Sequence, residues 1–346
     1  MPRLRARGEA VRTFILENVS KNPTSITRLT SDQFEISRQA VNKHLKRLVE
    51  EEVLLVSGNT KNRSYKLRPL LEWSETYDLT GSLAEDVVWR KDIAPRLGEM
   101  PTNVDDIWHY SFTEMFNNAI DHSGGSVIVV ELSISATDTQ IALYDNGIGI
   151  FKKIQQELDL LDERHSILEL AKGKLTTDPD RHTGEGIFFT SRMVDDFEIL
   201  SGGVYFHHVF GEQEDWILER DKFSSGTAVW MRLSNHTSRT SKQIFDKFTT
   251  DDEFGFNKTV VPVRLAQYGG DKLVSRSQAK RLIARFDRFK VVLLDFESVD
   301  AIGQAFADEI FRVFAIRFPE IELTPINANS DVTKMIQRAQ SNLASK

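Results

Sequence analysis

The sequence predicts an α+β chain of several domains, and three observations carry that prediction. Charge is unevenly spread: residues 1–68 hold fourteen Lys or Arg against seven Asp or Glu, a surplus of +7, and since the whole chain is −7 the remainder is −14. Around residues 112–123 a helical pattern carries one packing face and one polar face, and glycine-punctuated strands follow it. From Phe256 short apolar runs alternate with amphipathic stretches, the pattern of a small sheet covered by helices. Domains are therefore expected at 1–68, 105–250 and 256–346, with 69–104 as a helical connector.

A chain of 346 residues, 40% of them hydrophobic, is long enough for two or three cores. Cysteine is absent, which excludes disulfides and zinc–thiolate sites and fits a reducing compartment. No apolar run approaches the ~20 residues of a membrane span, and the Arg-rich start lacks the apolar segment of a secretory signal. The expectation is a soluble cytoplasmic protein without a membrane partner.

Apolar spacing predicts helices over 8–19 and 25–29, and Ser37 is a good N-cap for a third over 38–49, with Ala40, Val41, Leu45 and Leu48 facing a core. Residues 53–56, a polar tip over 57–63 and residues 65–67 read as a β-hairpin. Three helices followed by a hairpin resemble the winged helix-turn-helix of bacterial transcription regulators. The resemblance implies that Arg38, Gln39, Asn42 and Lys43 face the major groove of duplex DNA, with Lys61 and Arg63 reaching phosphate. The alternative role for such a module is protein docking.

The connector opens at Pro69 and holds Trp73, Tyr77 and Trp89, with a helical run from Leu83 to Ile93. No histidine lies between His44 and His109, so the segment has no phosphoacceptor histidine; His109 itself reads as a core or capping residue.

On the helix that follows, Glu114, Asn118 and His122 stand at i, i+4 and i+8 on one side, while Phe112, Phe116, Ala119 and Ile120 cover another. A carboxylate grouped with a carboxamide suits binding a hydrated Mg²⁺ and orienting a water or hydroxyl. Farther on, residues 140–144 end a strand at Asp145-Asn-Gly-Ile-Gly-Ile150. A strand-end carboxylate can accept from the exocyclic amine of adenine, and Gly147 and Gly149 allow close backbone approach. Gly184-Glu-Gly186 opens an apolar helix, whose unpaired N–H groups make a phosphate site. Ser225-Gly-Thr227 precedes a last strand.

These four pieces in this order resemble the GHKL superfamily of gyrase, heat-shock chaperone, histidine kinase and mismatch-repair ATPases, over roughly residues 105–234. The resemblance implies an α/β sandwich with a Bergerat-type ATP site and Mg²⁺ as the accompanying ion. In it Asn118 is the Mg²⁺ ligand and Asp145 the adenine-binding residue, followed by Gly147 and Gly149. Gly184 and Gly186 are phosphate-loop glycines, Thr227 supports the adenine site, His122 lies on the cofactor side and Glu114 takes the place of the general base. The spacing Glu-x3-Asn-x3-His is most similar to the anti-sigma-factor serine kinases. Residues 171–183 suit a mobile lid over the triphosphate, with Lys172, Lys174 and Arg181 as candidate phosphate contacts.

Beyond Phe256, strands are expected over 260–265, 290–296 and 321–326, and helices over 275–286, 305–318 and 330–339. The run 291–299 with the helix opening after it resembles STAS domains, the fold of anti-sigma-factor antagonists. Those antagonists carry a phosphoacceptor Ser at the helix start, where this chain reads Ile302-Gly-Gln-Ala-Phe306; the hydroxyl is missing. A protein partner, not acceptor chemistry, is what the resemblance implies here, and Asp295 and Asp300 read as turn or cap residues. The functional expectation is an ATP-binding, ATP-hydrolysing regulator that couples Mg–ATP state to DNA binding. Its alternatives are a serine kinase of the anti-sigma type acting on a separate STAS partner, and a homodimeric ATP-dependent clamp on nucleic acid.

Overall fold

The computed structural model describes residues 2–59, 62–175, 184–212, 216–250, 255–267 and 272–341. By its contacts the chain divides into two compact units, of which the first joins Met1–Ser74, Glu131–Ile141 and Leu233–Thr237. In that unit α1 (Pro2–Val19), α2 (Ile26–Phe34) and α3 (Arg38–Glu50) precede β1 (Leu54–Ser57) and β2 (Ser64–Leu67), which pair antiparallel with Leu54 opposite Leu67. Val11, Ile15 and Val19 of α1, Ile26 of α2, Val41, Leu45 and Leu48 of α3, and Leu54, Tyr65 and Leu67 of the hairpin close one apolar core. Ala40, expected in that core, is only half-buried.

Local chemistry sets the helix ends. The Ser37 hydroxyl accepts from the Ala40 N–H at 3.2 Å and so caps α3. α2 runs five residues past its expected end at Leu29, to the left-handed Glu35 (φ 50°), because Thr30 is buried and Phe34 meets Phe14 edge-on at 5.4 Å. Ser20 at the end of α1 donates to Asp138 at 3.2 Å, which ties the helices to the start of a strand within the same unit.

The main sheet is formed by β3 (Leu71–Asp78), β4 (Val127–Ile134), β5 (Asp138–Asp145), β6 (Asp196–Val209) and β7 (Trp216–Ser234), in the order β3-β4-β5-β7-β6. β4 and β5 are joined by residues 135–137, a connection too short for anything but a hairpin. β3 adds a strand to the helical connector expected over 69–104: its Leu71, Trp73 and Tyr77 are half-buried while the residues beside them are exposed, the period-two signature of an edge strand.

The second unit comprises Glu75–Val130, Ala142–Arg232 and Ser238–Lys346. Helix α4 (Glu85–Val88) passes through a π-turn, Trp89–Ile93, into α5 (Ala94–Leu97). Then α6 (Thr102–His122) buries Ile107, Trp108, Phe112, Met115 and Phe116 and packs on α9 (Gly186–Met193). His109 is exposed and stacks on Trp89 with centroids 4.9 Å apart, so it is a surface packing residue and not a core or capping one. α7 (Ile150–Glu157), α8 (His165–Lys172) and α10 (Ser241–Lys247) complete this part.

The C-terminal segment forms a wholly parallel three-stranded sheet, β10 (Glu322–Ile326), β9 (Val291–Asp295) and β8 (Lys258–Pro262), in that order. Its helices are α11 (Arg276–Ile283), α12 (Gln304–Asp308) continuing through a π-turn into α13 (Ala315–Arg317), and α14 (Ser330–Ser341). Ser275 and Gln278 form a reciprocal capping box that starts α11. β8 stops at Pro262, which cannot donate to a ladder, and a short 3-10 turn replaces the expected strand over 263–265. No helix among the described residues is long and apolar enough to cross a membrane.

Candidate functional site

α6, β5, α9 and β7 each deliver part of one cavity. Of the residues singled out in the sequence, Glu114, Asn118, His122, Asp145, Gly184, Gly186 and Thr227 all line a single cavity of about 430 Å³, with Ile128, Leu143, Ile154 and Val229 among its apolar walls. That volume and mixture of apolar wall with a few polar groups are ordinary for a small-molecule site.

Asp145 stands at the end of β5, where its Oδ1 accepts from the Gly147 N–H at 2.8 Å and the Thr227 N–H at 3.2 Å. Burial pushes its carboxyl up from the usual range, and those N–H groups oppose the shift by stabilising the anion. The Thr227 hydroxyl accepts from the Ile150 N–H at 3.0 Å, so one residue, through its N–H and its side chain, fixes both the carboxylate and the start of α7. Gly147 therefore serves Asp145 through its N–H. Gly149 takes φ +91° at the N-cap of α7, a conformation costly for other residues.

Glu114 lies against the N-terminus of α9. A Cβ on Gly186 would overlap the Glu114 Oε2, so glycine at the helix start is what lets the carboxylate approach. Gly184 has φ +70°, and a Cβ there would overlap the backbone of Leu175, whose N–H donates to the Gly184 carbonyl at 2.9 Å. The buried Nδ2 of Asn118 has no hydrogen-bond partner among the described residues. Such an orphaned donor is expensive unless a ligand or water completes it, and the amide oxygen of the same group is the donor type that a Mg²⁺ ion held mainly by phosphates and waters accepts. The cavity thus gathers a carboxylate acceptor, a carboxamide with an open donor and the backbone of a glycine-opened helix start around one small-molecule space. No group of three or more His, Asp or Glu that could hold a metal occurs among the described residues.

Two expected phosphate contacts are placed elsewhere. Lys174 is absent from the cavity lining; its ammonium donates to the Arg288 carbonyl at 2.9 Å and lies over the Phe289 and Phe256 rings. Lys172 is fully buried and donates to Glu169 at 2.6 Å and to the carbonyls of Arg281 and Ala284, each at 3.0 Å. The sequence alone makes both candidate phosphate contacts, because it does not show that a distant segment covers them. Arg181, with the rest of the expected lid over 176–183, lies outside the described residues.

Sequence reasoning also missed residues. Lys153 lines the cavity and donates to the His122 carbonyl at 3.0 Å, a basic residue one turn into the helix that Gly149 opens. Tyr110, one turn before Glu114, has its hydroxyl pushed up by burial and by the nearby Glu114 and Glu185 carboxylates.

In the first unit Arg38, Gln39, Asn42, Lys43 and Arg63 are all exposed, and Lys61 lies outside the described residues. The run Glu50–Glu52 neutralises part of the basic face: Lys46 pairs with Glu50 at 3.5 Å, Arg47 with Glu51 at 2.8 Å and Arg68 with Glu52 at 2.9 Å. Arg12 also pairs with Glu51, and Arg12 first, then Arg47, holds that carboxyl down to about 2. No such pair engages Arg38, Lys43 or Arg63 among the described residues, so the open positive charge gathers at the N-terminal half of α3 and on the hairpin.

In the C-terminal segment Asp295 accepts from the Glu297 N–H and the Asn327 amide, each at 3.0 Å, and is a turn residue. The Asp300 carbonyl accepts from Asn329 at 2.9 Å. A Cβ on Gly303, at the start of α12, would come within 2.8 Å of the Val274 Cα, which leaves no room there for a hydroxyl-bearing side chain. No curated protein matches the chain. Residues 278–333 match the family described as a STAS-like domain of unknown function, DUF4325, and the C-terminal segment is accordingly STAS-like.

Proposed function

We propose that the cavity binds Mg–ATP and that the protein is an ATP-responsive regulator whose nucleotide state controls DNA binding by the three-helix and hairpin module, read as a winged helix. The observation that carries the nucleotide reading is convergence: seven residues chosen from four separate stretches of sequence line one cavity. Asp145 accepts from the adenine amine, Thr227 holds Asp145, Asn118 supplies the metal ligand, and the N–H groups after Gly184 receive phosphate. Glu114 orients or deprotonates the attacking water. The DNA reading rests on the unpaired positive charge of α3, whose N-terminal residues are the part that a recognition helix presents to base edges.

A second reading, a serine kinase acting on a separate STAS partner, is favoured by the STAS-like match at 278–333 together with the packed Gly303, since a chain without its own acceptor must find one in trans. The test is calorimetric titration of Mg–ATP and Mg–GTP, then DNA titration in apo, ADP and non-hydrolysable-ATP states at fixed salt. ATP binding that prefers adenine, with DNA affinity differing at least fivefold between states, is the expected result. Equal DNA affinity in all three states removes the coupling, and phosphoserine on a co-purified partner selects the kinase.

A further inference from the structure

The C-terminal STAS-like domain belongs to the same compact unit as the cavity, although more than a hundred residues separate the segments that meet. Its point of attachment is specific. A helix leaves its last carbonyls without partners; the last one of α8, that of Lys172, and those of Gly173 and Lys174 just beyond it are taken up by the C-terminal domain. The Thr259 hydroxyl donates to the Lys172 carbonyl at 2.7 Å. The Arg285 guanidinium donates to the carbonyls of Gly173, at 3.0 Å, and Lys174, and the Arg288 guanidinium donates to that of Lys174 at 2.8 Å.

Beneath these bonds lies a buried charge cluster. All three donors of the Lys172 ammonium are used, on Glu169 and on the carbonyls of Arg281 and Ala284, and Arg285 donates to the other oxygen of Glu169 at 2.7 Å. Burial lowers the Lys172 and Arg285 pKa values, while Glu169 opposes the shift in both. The Phe256 ring closes the other side, so near that a Cβ on Gly173 would come within 2.6 Å of it.

The next residue is part of the cavity. Leu175 lines it and holds the Gly184 carbonyl through its N–H, and Gly184 and Gly186 form the adjoining wall. From Arg285 to Gly186 the connection is therefore a continuous series of hydrogen bonds and close backbone contacts. We infer that the STAS-like domain is a built-in clamp: by holding the end of α8 and the two residues after it, it keeps the hydrogen-bonded pair of Leu175 and Gly184 in the geometry of the cavity wall and sets the affinity of the cavity for its ligand. This rests on the nucleotide reading for the identity of the ligand, but not for the clamp itself. A partner that engaged the STAS-like domain and disturbed Arg285 or Arg288 would by the same contacts change nucleotide affinity.

The experiment uses the full chain as wild type, Arg285→Ala and Arg288→Ala. Arg285→Ala leaves the Lys172–Glu169 pair neutral, and Arg288 is exposed, so both variants are expected to fold. Hydrogen exchange is followed over residues 170–175, 184–187 and 281–288, without ligand and with a non-hydrolysable ATP analogue. Both variants should exchange faster at 170–175 and 184–187, and Arg285→Ala should bind the analogue at least about fivefold more weakly, the lower end of ordinary coupling between sites. Reciprocity requires that the analogue slow exchange at 281–288 in the wild type. Unchanged exchange in both variants overturns the clamp. Faster exchange with unchanged affinity, or no protection of 281–288 by a bound analogue, overturns the coupling and leaves only a structural contact. If wild type binds no nucleotide, the nucleotide reading fails, and the exchange of the variants still decides the clamp.

Discussion

Glu114 and Gly186 constrain one another, since the carboxylate occupies the space that a side chain at 186 would need. A general base contributes mainly to the transition state, so Glu114→Gln should keep ATP affinity within about threefold and lose ~10²–10⁴-fold in turnover, as steady-state hydrolysis would show. Asp145 gives the opposite pattern. Its pKa is raised by burial, so the stability it contributes is full below the ordinary aspartate value and is lost as pH rises through the raised value. At pH 7 the buried anion therefore costs stability. Asp145→Asn, whose amide oxygen can still take the Gly147 and Thr227 bonds, should raise the Tm of the nucleotide-free protein at pH 7 and leave it unchanged near pH 3. The same variant should weaken ATP binding by ~10–100-fold, the loss of a charged acceptor. A Tm at pH 7 equal to or below that of wild type would refute the burial argument.

At the scale of elements, α3 is set by a single hydroxyl and used by its open charges. Ser37→Ala removes the cap and should cost ~1 kcal/mol in urea unfolding with an unchanged m-value. Arg38→Ala and Lys43→Ala should each reduce the slope of log K against log salt by ~0.9 for duplex DNA, whereas neutralising Arg47, already held by Glu51, should change it by much less. Slopes that move equally for all three would place the DNA elsewhere. β3 shows an element misread from sequence. Leu71, Trp73 and Tyr77 alternate with polar residues, a pattern that was legible, but the helical run from Leu83 overshadowed it.

At the scale of the whole molecule, the arithmetic of the buried cluster predicts an order of effects. Removing Glu169 strands two cations, Lys172 and Arg285, away from water, whereas removing Lys172 leaves Glu169 and Arg285 as a neutral pair. Glu169→Gln should therefore destabilise the protein by ~3–5 kcal/mol and Lys172→Met by clearly less, measured by chemical unfolding. The reverse order would mean that the Lys172 bonds to the Arg281 and Ala284 carbonyls matter more than charge balance.

How much of this was legible in the sequence follows from the range of each interaction. The cap at Ser37, the polar face of α6, the glycines beside Asp145 and at 184–186, and the strand–helix alternation after Phe256 depend on residues a few positions apart, and pattern reading finds them. The STAS-like character of the C-terminal segment was legible in the same way, in the run 291–299. What tertiary structure alone decided is which charges meet. Nothing within ten residues of Lys172 or Lys174 announces that Arg281, Ala284 and Arg288, more than a hundred residues on, will receive their ammonium groups. Nor does local sequence show that Arg12, from another helix, will join Arg47 on Glu51. A charged side chain in a loop has the same local pattern whether it ends in water, on a ligand or under another domain, because the energy that separates those fates comes from burial and from partners that only the folded chain brings near.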